Sequence, residues 1–340
     1  WALRRHEAGR AWIKIRLVKG ANLAMEHVDA ELGGWAPAPY PTKAYVDASY
    51  KAALDALLAA AAAGGVHVGV ATHNLFDVAW ALGRRAELDL SRDTVEIEML
   101  EGMAPPQARA TKEAAGDLLL YTPGVTDADF AASIAYLYRR LDENAGPENF
   151  LRSLFTIRPG SPAWHQQRAR FERSVADRLT VSRMPRRDQD RSRPVVPSDP
   201  EQRFRNEPDT DFTTSANRRW IAHHLATDTP APLPPLVDTI EGIDTIVERA
   251  RSGAARWAAT TTSERRRVLA RVADVMATHR GRTLAVMAHE TGKTVREGDP
   301  EVSEAIDFTR WAGDRTHELD ELAADGVAAD SLGVVLVCGP

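Results

Sequence analysis

Cysteine is all but absent from this sequence. A single thiol, Cys338, stands in 340 residues, so no internal disulfide can form and the chain suits a reducing compartment. Long apolar runs are absent too. The longest, from Ala56 to Val66, is mostly alanine and glycine and is well short of the roughly 18 residues a membrane span needs. The first residues show no secretory-signal pattern. Charge of one sign is not in excess: the net charge is -5 and the pI about 6.1, so no global field draws the chain to nucleic acid or membrane. Metal-site patterns are missing. His223 and His224 are adjacent and project apart on a helix, and no further Cys or His cluster supports a metal. Gly292-Lys293-Thr294 resembles the end of a phosphate-binding loop, but Met287 occupies the place of its first glycine. Cys338 closes an apolar run, Val334 to Val337, which reads as a buried strand with the thiol packed.

What is present is ample material for a core. Hydrophobic content of 44% and charged content of 27% predict a globular protein of two domains or one large one. Strand patterns at Ile13–Lys19, Val66–Ala71, Thr94–Leu100 and Asp117–Tyr121 alternate with helix patterns at Thr42–Ala63, Phe76–Ala86, Pro106–Ala115 and Asp127–Asn144. The last helix starts near Thr126-Asp127 and stops before Ala145-Gly146-Pro147. Such alternation implies a parallel α/β sheet, and these units make half of an eightfold barrel. The first domain is expected over 1–157 and a linker or arm over 158–235. Within it, Arg183 to Arg205 carries seven arginines and four acids. Interleaved acids and the scarcity of aromatics, Phe204 alone, favour a solvated linker over a nucleic-acid patch. From 236 to 340 the pattern is mostly helical, with helices at Ile243–Trp257, Ser263–His279, Gly281–Thr291 and Glu301–Ala312. Ser263 reads as an N-cap, and Val302, Ile306 and Phe308-Thr309 as the inward face of the last. The start at Trp1 and the apolar run ending in Gly339-Pro340 predict a stretch of a longer protein.

The chemistry of a parallel barrel sits where its strands end. The first strand alternates apolar and basic residues and delivers Arg16, Lys19 and an open backbone at Gly20-Ala21 to one rim. Two cations beside a glycine suit a phosphate or an electron-rich ring; an edge strand with solvated charges is the alternative. The second strand ends at Ala71-Thr72-His73-Asn74, the third runs into Glu101-Gly102-Met103, and the fourth into Tyr121-Thr122-Pro123-Gly124. Tyr136, Arg139, Arg140 and Glu143 follow at i, i+3, i+4 and i+7, which places them on one helical face. Two guanidinium groups can grip one carboxylate through forked hydrogen bonds. Glu143 could steady one arginine, and Tyr121 and Tyr136 could wall the site. The same spacing also fits a solvent-facing helix with an Arg–Glu pair.

These segments, with Tyr40-Pro41-Thr42-Lys43, resemble the proline dehydrogenase barrel and occur in that family's order. Arg205-Asn206-Glu207-Pro208-Asp209-Thr210-Asp211-Phe212, Glu290-Thr291-Gly292-Lys293-Thr294 and Glu301 to Phe308 resemble the start of an aldehyde dehydrogenase. Together they look like the bifunctional family that oxidises proline to glutamate. The fold this implies is half of a (βα)8 barrel, a linker, and the mostly helical start of an aldehyde dehydrogenase fold. The resemblance implies FAD-dependent oxidation of L-proline to pyrroline-5-carboxylate, then NAD-dependent oxidation of glutamate semialdehyde. It implies a quinone as electron acceptor, a cytoplasmic location with peripheral inner-membrane contact, and a homo-oligomer without nucleic acid. Carried over by position, Arg139 and Arg140 hold the proline carboxylate, with Tyr121, Tyr136 and Leu100 shaping the pocket. Arg16, Val18, Gly20 and Ala21 lie along the flavin, and Thr42, Lys43, Thr72, His73 and Asn74 hold the rest of FAD. Asn22 and Leu23 depart from the aromatic pair of many members. The family's active-site lysine and aspartate, its catalytic cysteine and glutamate, and most of its NAD site match nothing here. A catalytically inert piece is therefore the competing expectation.

Overall fold

A computed structural model describes residues 1–20, 23–146, 148–228, 236–328 and 332–338, without the side chain of Glu143. The chain forms two compact units. One is Trp1–Val28 with Pro37–Arg186, and the other is Asp29–Ala36 with Arg187–Pro340.

The first unit is built on four parallel strands in sequence order: β1 (Ile13–Leu17), β2 (Val66–Ala71), β3 (Val95–Leu100) and β4 (Leu119–Tyr121). Ile13 pairs with Val66, Val68 with Val95, and Glu98 with Leu119. Its helices are α1 (Ala2–Glu7), the start of α2 (Leu23–Leu32), α3 (Lys43–Ala62), α4 (Leu75–Glu87), α5 (Pro105–Ala115), α6 (Phe130–Ala145) and α7 (Pro162–Asp177). Strand alternation sorts the side chains. Val66, Val68, Val70, Val95, Ile97 and Met99 pack under Tyr50, Leu54 and Leu58 of α3 and Val78 and Ala81 of α4. The opposite face receives Lys14, Arg16, Gly69, Glu96 and Glu98. This sheet is therefore oily toward its helices and charged on its other side.

Local chemistry fixes the element ends. Thr42 and Asn74 cap α3 and α4 with side-chain oxygens, and α5 opens on proline and closes on Gly116 in the left-handed region. The strands and helices expected over 1–157 form within a few residues. However, β1 ends at Leu17, not Lys19. Thr126 does not cap the helix after β4. It donates to Asp129 across a 3₁₀ turn at Asp127–Asp129. The expected arm over 158–235 contains helices. In it, α7 packs on α3 and also meets α4, where Phe171 and Trp164 lie 5.7 and 4.9 Å from the Phe76 ring.

The second unit holds α8 (Ser215–Thr227), α9 (Ile240–Ala258), α10 (Thr262–Thr278), α11 (Arg280–Thr291) and α12 (Val295–Ala324). Ile221, Ala273, Leu284, Val302 and Ile306 form its apolar core. Beside it lies a buried polar core. Arg280, 0% exposed, donates to Asp299, Ser303 and Glu207 at 2.9, 2.9 and 3.3 Å. Asp299 also accepts from the backbone N–H and hydroxyl of Thr210, both at 2.6 Å. Arg191 and Arg310 converge on Glu207 at 3.0 and 2.8 Å. The arginine-rich arm is solvated only in part: Arg183, Arg186, Arg193, Arg203 and Arg205 are exposed, whereas Arg191 and the Glu207–Asp211 stretch are tied into this core, where buried carboxylates meet their guanidinium groups. Trp35 joins the same cluster, donating to the Asp209 carbonyl at 2.7 Å beneath the Arg187 guanidinium.

Three further expectations change. Thr261, not Ser263, caps α10, because Glu264 sits three residues on and completes a reciprocal capping box. Phe308 is exposed, unlike Val302 and Ile306. Val334–Val337 is exposed and forms no strand, and Cys338 is exposed. Among the described residues the second unit has no sheet for that run to join.

Candidate functional site

The carboxyl ends of β1–β4 gather most of the expected residues. Arg16 leaves β1 and places its guanidinium 4.9 Å over the Tyr121 ring of β4. Tyr121 lies 6.5 Å from Tyr136 of α6, and the Arg140 guanidinium sits 4.9 Å over Tyr136. A ladder of cation, ring, ring and cation therefore joins the first strand to α6. Such contacts contribute ~0.5–1 kcal/mol each at exposed sites. Arg139 is exposed one residue earlier, and Leu100 is half-buried at the end of β3. Val18 is exposed beside Gly20, which adopts φ +83 with open space on its Cβ side. Only glycine takes that backbone without strain. Ala21 lies outside the described residues, and so does the Glu143 side chain.

Lys19 does not point to a ligand. Its ammonium donates to Asp47 at 2.7 Å and to Asp77 at 2.5 Å. Lys43 donates to Asp47 at 2.7 Å, and Lys51 to Asp77 at 2.6 Å. These five residues form one chain of alternating charge at the end of β1. Burial alone would lower the Lys19 ammonium, but Asp77 and Asp47 raise it above its ordinary value. Burial would likewise raise Asp77, yet Lys19 and Lys51 hold its carboxyl below the usual range. Sequence reading missed Asp47, Lys51 and Asp77. The signal was there: Lys43, Asp47 and Lys51 recur every four residues on one face of α3.

The turn after β2 is mixed in its uses. Thr42 and Asn74 spend a side-chain oxygen on capping, accepting from Tyr45 at 3.5 Å and Phe76 at 3.0 Å. Thr72 accepts from the Asn74 N–H at 3.1 Å. His73 differs. Its Nε2 accepts the Leu100 N–H at 3.0 Å, which leaves the proton on Nδ1. Burial lowers its pKa from 6.5, so the ring stays neutral near pH 7. That Nδ1 is buried and has no hydrogen-bond partner among the described residues. An orphaned buried donor at a strand end marks a place for a ligand acceptor.

Two family models match the chain. One, described as proline dehydrogenase, matches residues 1–153, and the aldehyde dehydrogenase family matches residues 237–338. The PutA structure from Corynebacterium freiburgense is 40% identical and covers 92% of this chain and 28% of its own, with a TM-score of 0.69. The chain is thus similar to a stretch of PutA that takes in parts of both dehydrogenase families. The bifunctional protein PutA of Escherichia coli strain K12 is 27% identical over 345 residues, covering 89% of this chain and 25% of that protein. A PutA structure from Bdellovibrio bacteriovorus, inactivated by N-propargylglycine, covers 94% of this chain and 34% of its own at 24% identity, with a TM-score of 0.68, and supports the fold alone. The chain spans about a quarter of the length of the curated PutA relatives it matches. Among the described residues no helix is long and apolar enough to cross a membrane, and no group of ligating side chains could hold a metal.

Proposed function

We propose that the first unit contributes to FAD-dependent oxidation of L-proline to pyrroline-5-carboxylate. The ladder that joins Arg16, Tyr121, Tyr136 and Arg140 carries this reading. It brings the residues assigned to the flavin and those assigned to the amino acid to one rim. The rim fits FAD. Gly20 leaves open space for a close approach, the buried His73 Nδ1–H awaits an acceptor, and Arg16 brings a cation to the same rim, over the Tyr121 ring. In this reading Arg16, Val18, Gly20 and Ala21 lie along the ring system, while Thr42, Lys43, Thr72, His73 and Asn74 hold the remainder. Bound FAD would accept the hydride. Arg139 and Arg140 hold the proline carboxylate, with Tyr121, Tyr136 and Leu100 closing around the ring. Glu143, at i+4 from Arg139, steadies that clamp.

The second unit belongs to an NAD-dependent glutamate semialdehyde dehydrogenase. The match to that family over residues 237–338 supports it. Quinone as acceptor, peripheral contact with the inner membrane, a cytoplasmic location and a homo-oligomer belong to the same reading. The test is proline-dependent reduction of a quinone analogue by the intact purified protein, with its flavin content measured first. Flavin-loaded protein that reduces no acceptor with proline would sink the proposal. Arg140→Ala should raise the KM for proline by tenfold or more, since a hydrogen bond to a charged group contributes ~1.5–3 kcal/mol.

A further inference from the structure

Glu98 is the acid least expected where it stands. Its side chain is 2% exposed on the charged face of β3, where an unpaired carboxylate would be costly. Arg16 donates to it through Nε, and the Lys14 ammonium lies 2.9 Å from its other oxygen. The neighbouring strand makes room for it. A Cβ built on Gly69 would stand 2.1 Å from Glu98 Oε1 and 3.1 Å from Lys14 Cε. Only a residue without a side chain fits between β1 and this carboxylate. Lys14 has a second acidic partner, Glu96. Two cations and two carboxylates thus face one another across Gly69, and their charges sum to zero.

We propose that Glu98 is a positioning residue: it holds Arg16 against Tyr121 and sets the net charge that this rim presents to a bound flavin. This rests on the proposed function. Arg16 alone would favour the more electron-rich, reduced form of the ring. Glu98 offsets that bias and fixes the guanidinium. Removing its charge leaves the cluster with one net positive charge. Removing the charge of Lys14 leaves one net negative charge. The two changes should therefore move the flavin potential in opposite directions.

The experiment measures flavin content, melting temperature and flavin midpoint potential in the intact protein, for the parent, Glu98→Gln, Lys14→Gln and the double variant. Glu98→Gln should strengthen binding of reduced over oxidised flavin about tenfold, an upward shift of about 30 mV for a two-electron couple. Lys14→Gln should shift it downward. The double variant restores neutrality and should return within threefold of the parent. Should Glu98→Gln fail to fold, Lys14→Gln and the double variant still decide the matter. A lowered melting temperature with potentials unmoved would make Glu98 structural only and overturn the inference while the flavin reading stands. A parent that retains no FAD would overturn both.

Discussion

At the residue scale, the decisive feature is how charge is buried. Asp77 and Lys51 are 2% and 1% exposed, and Lys19 closes the other side of the same carboxylate. Removing one member of such a set leaves an uncompensated buried charge, which costs about 3–5 kcal/mol. Asp77→Asn should therefore lower the urea midpoint of the first unit by that equivalent at pH 7. The pH dependence follows from the directions of the shifts. Asp77 is held below its unfolded value, so its stabilisation is complete above about pH 4 and fades as pH falls through the lower folded value. Lys19 is held above its unfolded value, so its share is complete below about pH 10 and fades as pH rises through the higher folded value. The gap between parent and Asp77→Asn should narrow on acidification. An equal gap at pH 7 and pH 3 would refute the assignment. Arg16 and Lys19 also show what a sequence can and cannot say. Alternation marked both as rim cations, but one strand cannot reveal that Glu98 and Asp77, from elsewhere in the chain, meet them.

At the element scale, the strands and helices were legible because each carries its own period and its own punctuation. Asn74, Gly116 and Thr294 stop or start helices by local chemistry alone. The misses have the same local character. Reading α12 only from Glu301 reflects Pro300, which normally ends a helix but lies inside this one. Its true start is Thr294, which exchanges hydrogen bonds with Glu297. Gly292, in the left-handed region, ends α11 two residues earlier. The glycine–lysine–threonine motif is therefore a helix stop followed by a helix start. The cap of α10 offers a sharp test between two residues only two positions apart. Thr261→Ala should cost about 1 kcal/mol, and Ser263→Ala about 0.5 kcal/mol or less, by chemical denaturation. Equal costs would mean that the capping box does not set this end.

At the scale of the whole molecule, the buried polar core of the second unit was invisible in advance, because its members are spread from Trp35 to Arg310 and no local pattern links them. Composition correctly marked the arm as arginine-rich but could not supply the carboxylates that fix it. The first unit raises the opposite question, of apolar surface that is left exposed among the described residues. β1 and β4 are the edges of its sheet, and α6 exposes Phe130, Ile134, Leu137 and Leu141, residues at helical spacing on one apolar stripe. Among the described residues, open parallel edges beside such a stripe leave the candidate rim walled on one side only. A flavin bound there would bury too little of its ring system to be held firmly. Residues 1–340 alone should accordingly retain FAD well below one equivalent after gel filtration, and should associate in a concentration-dependent way. Leu137→Asp, which places a charge in the stripe, should weaken that association without changing helix content by circular dichroism. A monodisperse yellow protein with one flavin per chain would show that these four strands and their helices suffice to enclose the cofactor.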